Sequence, residues 1–187
     1  RSRLMDPELV SIVNIMATDY RNPKDDTQNP EVSSLESHGD QTFARFEDRH
    51  EEGLGADIVK TLQRSLQVAL EYAKKPEGWL VFIGPYGCGK THLAAAIANF
   101  RKDSGYPLIF ITVTELLDHL RATFSPSSPT RYDKLFSEVK TTPLLILDGL
   151  GAHSATPWAR EKLFQLVDYR YNAKIPTVIT MTMKIEE

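Results

Sequence analysis

The 187-residue chain is long enough for one α/β domain with a real core, and 41% apolar with 25% charged residues is ordinary globular composition. A net charge of −3 excludes a global basic field, so any contact with DNA has to come from a local basic face. The one cysteine, Cys88, excludes a disulfide framework, no apolar run is long enough to span a bilayer, and the start is not a signal peptide, so the expectation is a soluble cytoplasmic protein with no membrane partner.

"LVSIVNIM" (Leu9 to Met16) is β-branched and apolar and predicts a strand. "RNPKDDTQNPEVSSLESHGDQ" then turns polar, carries two prolines and reads as a linker over residues 22–41. From Ala56 to Lys74, Ile58, Val59, Leu62, Leu66, Ala69, Leu70 and Ala73 recur at helical spacing. "WLVFI" (Trp79 to Ile83) is a short apolar strand, followed by a glycine-rich loop and an alanine-rich helix from Thr91 to Arg101. A strand is expected over Leu108 to Val113 and a helix over Glu115 to Phe124. A loop spans Ser125 to Thr130, with a short helix over Arg131 to Lys140. "LLILD" (Leu144 to Asp148) is the next strand. Thr156 caps a helix with Pro157 at its first position, which proline favours, and that helix runs to about Asn172. "TVITM" (Thr177 to Met181) is the last strand. Strands that are apolar throughout and alternate with helices predict a parallel sheet covered on both faces.

"GPYGCGKT", Gly84 to Thr91, fits G-x-x-x-x-G-K-[ST] in full, with a strand before it and a helix after it. Gly84, Gly87 and Gly89 let backbone N–H groups turn in around phosphate oxygens. Lys90 brings positive charge to the β- and γ-phosphates. The Thr91 hydroxyl can ligate Mg²⁺, and the helix presents its positive end. The expected nucleotide-binding set is Gly84, Pro85, Tyr86, Gly87, Cys88, Gly89, Lys90, Thr91 and His92. Cys88 reads as a small loop-filling residue rather than a redox centre. Asp148, at the end of an apolar strand, is the expected second metal residue beside Thr91. The implied cofactors are ATP or ADP and Mg²⁺.

"WLVFIGPYGCGKTHLAAAIAN", "TELLDHLRATF" and "PLLILDGLG…WAREKLFQLVDYRYNAKIPTVIT" together resemble the DnaC-type AAA+ ATPases, which include bacterial replicative helicase loaders and the IstB helper ATPases of transposition. The resemblance covers nearly all of Trp79 to Thr182. It implies a three-layer α/β/α P-loop fold with a five-stranded parallel sheet. The opening "RSRLMDPELVSIVNIMATDYR" is similar to the family's C-terminal end, so the resemblance also implies a permuted chain order. Circular permutation, a segment cut from tandem copies and a joining of separate pieces all give such an order. On this reading residues 1–21 complete the sheet, residues 42–187 are the ATP-binding core, and Leu9 to Met16 lies parallel beside Leu80 to Ile83. "TFARF" (Thr42 to Phe46) resembles the family's entry segment, with Phe43 or Phe46 near the adenine or stapling the first helix to the sheet.

The family usually has an acid at the position of Gly149 and an asparagine at that of Thr182. Lys90, Asp148 and Thr182 are therefore the expected catalytic set, with slow hydrolysis, because positioning help for the attacking water is worth about 10²–10⁴ in rate. Glu161 and His153 are further candidates for water contact. By resemblance Arg21 senses nucleotide in cis, and Arg1 or Arg3 reaches a neighbour's γ-phosphate. Arg121, Arg131, Lys134 and Lys140, beside Tyr132 or Phe136, are the candidate DNA face. The implied partners are a replicative helicase, single-stranded DNA and further copies of the chain in a nucleotide-dependent oligomer. The alternatives are a transposition helper acting on duplex DNA, and a nucleotide-dependent switch or scaffold that scarcely turns over.

Overall fold

A computed structural model describes residues 8–15, 32–47, 54–124, 132–151 and 156–182. Five strands form one parallel sheet: β1 (Val10–Asn14), β2 (Trp79–Ile83), β3 (Leu108–Thr112), β4 (Leu144–Leu150) and β5 (Thr177–Met181), in the order β1-β2-β5-β4-β3. Helices α1 (Ala56–Lys74) and α2 (Lys90–Asp103) cover one face, and α3 (Val113–Ala122), α4 (Tyr132–Thr141) and α5 (Pro157–Asn172) cover the other. The alternation of side chains along a strand divides β2 between the two layers. Leu80 and Phe82 pack with α1 and α2, and Trp79, Val81 and Ile83 with the other three helices. All five residues of β2 are buried, which is why the strand reads as apolar throughout rather than alternating. β1 runs parallel to β2 in the register Val10↔Trp79 to Asn14↔Ile83.

Helix boundaries follow local capping chemistry. The Thr112 hydroxyl accepts from the Glu115 backbone N–H, and the Glu115 carboxylate accepts from the Thr112 N–H, a capping box that starts α3 at Val113. The expected strand over Leu108 to Val113 therefore ends one residue early, and the helix begins two residues before Glu115. The Thr156 hydroxyl accepts from the Ala159 N–H, with Pro157 opening α5 as expected.

The expected linker 22–41 is corrected over its described part. Leu35 is buried, and the Ser34 N–H donates to the Phe110 carbonyl on the edge strand β3. The Ser33 hydroxyl caps the same edge, exchanging hydrogen bonds with the Phe110 backbone. Asn99 on α2 donates to the His38 and Gln41 carbonyls. The polar composition that suggested a linker is instead used to satisfy a sheet edge and a helix flank.

The Ser34 hydroxyl also donates to Glu115 Oε2 at 2.8 Å. Burial alone would raise the Glu115 carboxyl, but the Thr112 N–H and the Ser34 and Thr112 hydroxyls outweigh it and hold the group below its ordinary value of 4.5. A carboxyl depressed in the folded state contributes stability that is present above its unfolded value and lost as pH falls through the folded one. Glu115→Gln should therefore lower the melting temperature at pH 7 and shrink the loss seen on acidification below pH 4.5. An identical acid-side loss in the variant and the parent, by circular dichroism, would remove Glu115 from that account.

Candidate nucleotide and metal site

The site lies where β2, β4 and β5 reach their C-terminal ends. β2 runs directly into the Gly84–Gly89 loop, and α2 begins at Lys90. Gly84 is held between two elements: a Cβ there would stand 2.1 Å from the Ile15 carbonyl oxygen and 2.9 Å from Cys88 Sγ. The loop is thus anchored against the end of β1. No side chain among the described residues caps the α2 N-terminus, whose first-turn N–H groups and dipole suit an anion. Lys90 is buried beneath the loop, its ammonium donating to the Pro85 carbonyl at 2.5 Å with Cys88 Sγ at 3.7 Å. Burial pushes the Cys88 thiol above its ordinary value against the partial offset of Lys90, which disfavours the thiolate that redox chemistry requires. Pro85 and Tyr86 are exposed at the loop tip.

Thr91, in the first turn of α2, meets Asp148 on β4. Its Oγ1 is 2.9 Å from Asp148 Oδ1 and 3.1 Å from Oδ2. A hydroxyl and a carboxylate this close form a hard oxygen pair that fits Mg²⁺, an ion held by one or two protein oxygens with phosphate and water completing its shell. Among the described residues no cluster of three or more His, Cys, Asp or Glu forms a separate metal cage.

β4 does not stop at Asp148. It runs on to Leu150, but its register with β5 slips from Leu147↔Ile179 to Leu150↔Met181, so three steps on β4 face two on β5. This is a β-bulge, a device that re-aims a side chain. Gly149 sits in the bulge at φ +79°, a conformation that side-chain-bearing residues rarely adopt. Its N–H donates to Thr180 Oγ1 at 2.9 Å, and the Thr180 hydroxyl donates to Asp148 Oδ1 at 2.6 Å. The expected catalytic threonine, Thr182, lies one residue beyond β5; it is Thr180, absent from the sequence-based set, that touches Asp148. Counting two residues back from Thr182, the period of a strand, reaches Thr180 in β5, and that signal could have raised Thr180 as a candidate.

A cavity of about 670 Å³ opens beside the loop, lined by Gln41, Arg45, Phe46, Leu62, Gly87 and His92 among others. Phe46 rests against Gly89 and turns its ring to the edge of His92 at 5.4 Å. His92 Nε2 is 2.9 Å from the Thr42 carbonyl oxygen, tying the entry segment to α2. Of the two candidate aromatics, Phe46 therefore borders the cavity, while Phe43 meets Phe100.

Other expected residues do not converge on this site. The Glu161 carboxylate is exposed on α5 and bonded to Lys162 and Gln165. Phe136 is buried, which removes it as a base-stacking surface. Arg1, Arg3, Arg21, Arg131 and His153 lie outside the described residues.

The model of the IstB-like ATP binding protein family matches residues 14–187. The chain belongs to that family. It is similar to the replicative helicase loader DnaC of Escherichia coli strain K12, 30% identical over 126 residues, covering 66% of this chain and 51% of that protein. Similarity to the replicative helicase loader DnaI of Bacillus subtilis strain 168 is 34% over 109 residues, covering 58% of this chain and 34% of that protein. This IstB-like chain spans about half the length of the DnaC relatives it matches. A crystal structure of the DnaC helicase loader superposes with a TM-score of 0.63 at 24% identity, covering 81% of each chain, a likeness that carries the fold. The fold is the five-stranded α/β P-loop architecture of AAA+ proteins, as the sequence led one to expect. No helix among the described residues is long and apolar enough to cross a membrane.

Proposed function

We propose that this chain is the ATP-binding core of a helicase-loader-type protein, in which bound nucleotide controls self-assembly and hold on single-stranded DNA. The observation that carries this reading is the contact of Thr91 with Asp148 at the foot of an intact glycine-lysine loop. Gly84 to Gly89 and the α2 N-terminus bind the phosphates, and Lys90 supplies their charge partner. Thr91 and Asp148 hold Mg²⁺, which neutralises charge on the phosphates when bound. The cavity beside Phe46 takes the base. The strand order supports reading residues 1–21 as the family's last strand moved to the front of a core that begins near Thr42.

DNA contact is assigned to the surface of α3, α4 and α5. Phe124 is 61% exposed and stacks on Tyr132 with ring centres 5.4 Å apart, and Arg121 lies over Trp158 at 5.3 Å. An exposed aromatic, Phe124, with half-buried Tyr132 and Trp158 and a cation beside it is chemistry that suits a single-strand platform. The helicase partner comes from the loader homologues. Co-sedimentation with a bacterial replicative helicase, with ATP, ADP or neither, tests it. Retention of duplex DNA without any hold on the helicase favours the transposition-helper reading.

Gly149 favours slow hydrolysis and so keeps the switch reading in play. Nothing lies within 4 Å of a Cβ placed there, so an added acid meets no steric block, only backbone strain. Gly149→Asp should cost about 1–2 kcal/mol in stability from its left-handed backbone. It should raise phosphate release at least about tenfold, equal to about 1.4 kcal/mol off the barrier. Steady-state turnover of the parent and the variant, each with and without single-stranded DNA, decides the matter. A parent turning over at an ordinary ATPase rate, with no gain in the variant, means another group positions the water.

A further inference from the structure

Asp148 is held from two sides. The Thr91 hydroxyl approaches from α2, at 2.9 Å from Oδ1 and 3.1 Å from Oδ2. The Thr180 hydroxyl approaches from β5, at 2.6 Å from Oδ1. Thr180 is 2% exposed, so its single hydroxyl proton has no competing water, and it goes to the carboxylate. A lone pair of the same oxygen accepts the Gly149 N–H at 2.9 Å. That N–H belongs to the residue that breaks the β4–β5 register, and it would otherwise be a donor without a place in the ladder. One side chain thus satisfies the bulge and fixes the carboxylate just before it.

We propose that Thr180 is the positioning residue for the metal site. By donating to Asp148 Oδ1 while accepting from the Gly149 N–H, it locks the carboxylate so that Oδ1 is tied to the two threonine hydroxyls and Oδ2 is presented to the metal. Among the described residues Oδ2 has only the longer Thr91 contact, so it is the oxygen free to take a Mg²⁺ or one of its waters. The same contact explains why the bulge is stable with glycine at 149: the left-handed turn aims its N–H at a fixed acceptor. A supporting group that orients a metal-binding carboxylate acts on metal affinity without touching the nucleotide. The assignment rests on the reading of this site as one for Mg²⁺ and nucleotide.

The test compares the whole chain with its Thr180→Val and Thr180→Ser variants, using a fluorescent ATP analogue titrated in EDTA and then against rising Mg²⁺. The parent should bind the analogue in EDTA and more tightly as Mg²⁺ is added. Thr180→Val, nearly equal in shape, should keep the affinity in EDTA while its Mg²⁺ midpoint rises about tenfold or more, the usual loss when a group supporting a metal ligand is removed. Thr180→Ser, which keeps the hydroxyl, should restore the parent midpoint. If valine prevents folding, Thr180→Cys, with a weak S–H donor of similar size, takes its place with the same expected shift. An unchanged Mg²⁺ midpoint in the variants lacking the hydroxyl, or a serine variant as impaired as they are, overturns the role of Thr180 and leaves nucleotide binding standing. A parent that binds no analogue in either condition overturns the nucleotide reading and this role with it.

Discussion

Lys90→Ala should weaken ATP binding by about a hundredfold, because a hydrogen-bonded charge contributes up to about 3 kcal/mol and each 1.4 kcal/mol is tenfold in affinity. The lysine is 6% exposed and its ammonium donates to the Pro85 carbonyl, so it is already gathered under the candidate phosphate loop. Its removal takes away the one side-chain cation of the loop and leaves the Pro85 carbonyl without that donor. The N–H groups of the loop and the dipole of α2 remain, so binding should weaken rather than vanish at high nucleotide concentration. Calorimetric titration with Mg²⁺·ATP is the measurement, paired with a melting curve to show that the domain is still folded. Equal affinity in variant and parent would sink the assignment of this loop as the phosphate site.

Arg170→Met should destabilise the domain by about 3 kcal/mol or more, since it leaves several buried acceptors unpaired at about 1–3 kcal/mol each. The guanidinium on α5 is fully buried. Its Nε donates to Thr177 Oγ1 at 2.9 Å, Nη1 to the Lys140 and Thr142 carbonyls at 3.0 and 2.9 Å, and Nη2 to the Pro176 carbonyl at 2.6 Å. These acceptors sit at the end of α4, just before β4 and at the start of β5. The opposite ends of those two strands carry Asp148 and Thr180, so the arginine anchors the strands that build the candidate metal site. Burial pulls the guanidinium down to about 10, against Tyr72 and Tyr169, a value that still leaves it charged at neutral pH. Five donors in a rigid fork suit this shell of acceptors, and a lysine, with three, cannot reach them all. Arg170→Lys should therefore fall between the parent and Arg170→Met in urea denaturation. A loss below about 1 kcal/mol in the methionine variant would mean that the freed carbonyls are rehydrated at little cost.

The ATP-binding loop was legible in the sequence because its demands are local. Glycines where backbone turns on phosphate, a lysine and a threonine at fixed offsets, a strand before and a helix after are all written within about a dozen consecutive residues. The sheet was legible for a similar reason: "WLVFI" and the "LLIL" that precedes Asp148 are apolar throughout because both faces of their strands are covered. The first strand was legible in its β-branched, apolar run, while its place beside β2, where it does pair, was foreseen only from a family resemblance. Tertiary structure alone decided how these parts meet. Thr180 and Asp148 are 32 residues apart; alternation along the strand could mark Thr180 as a candidate, but nothing local says that its hydroxyl meets a carboxylate on the neighbouring strand. Arg170, in the polar-looking run "DYRYN", would pass for a surface charge, yet it is buried because carbonyls from two other elements converge on it. The segment from Val32 to Gln41 has a linker's composition but lies against β3 and α2, because the edge of a sheet needs partners for its backbone groups. Sequence patterns report what each residue's neighbours along the chain require. Long-range hydrogen bonds depend on where distant elements arrive, and only the packed sheet and helices bring those groups within about 3 Å of one another.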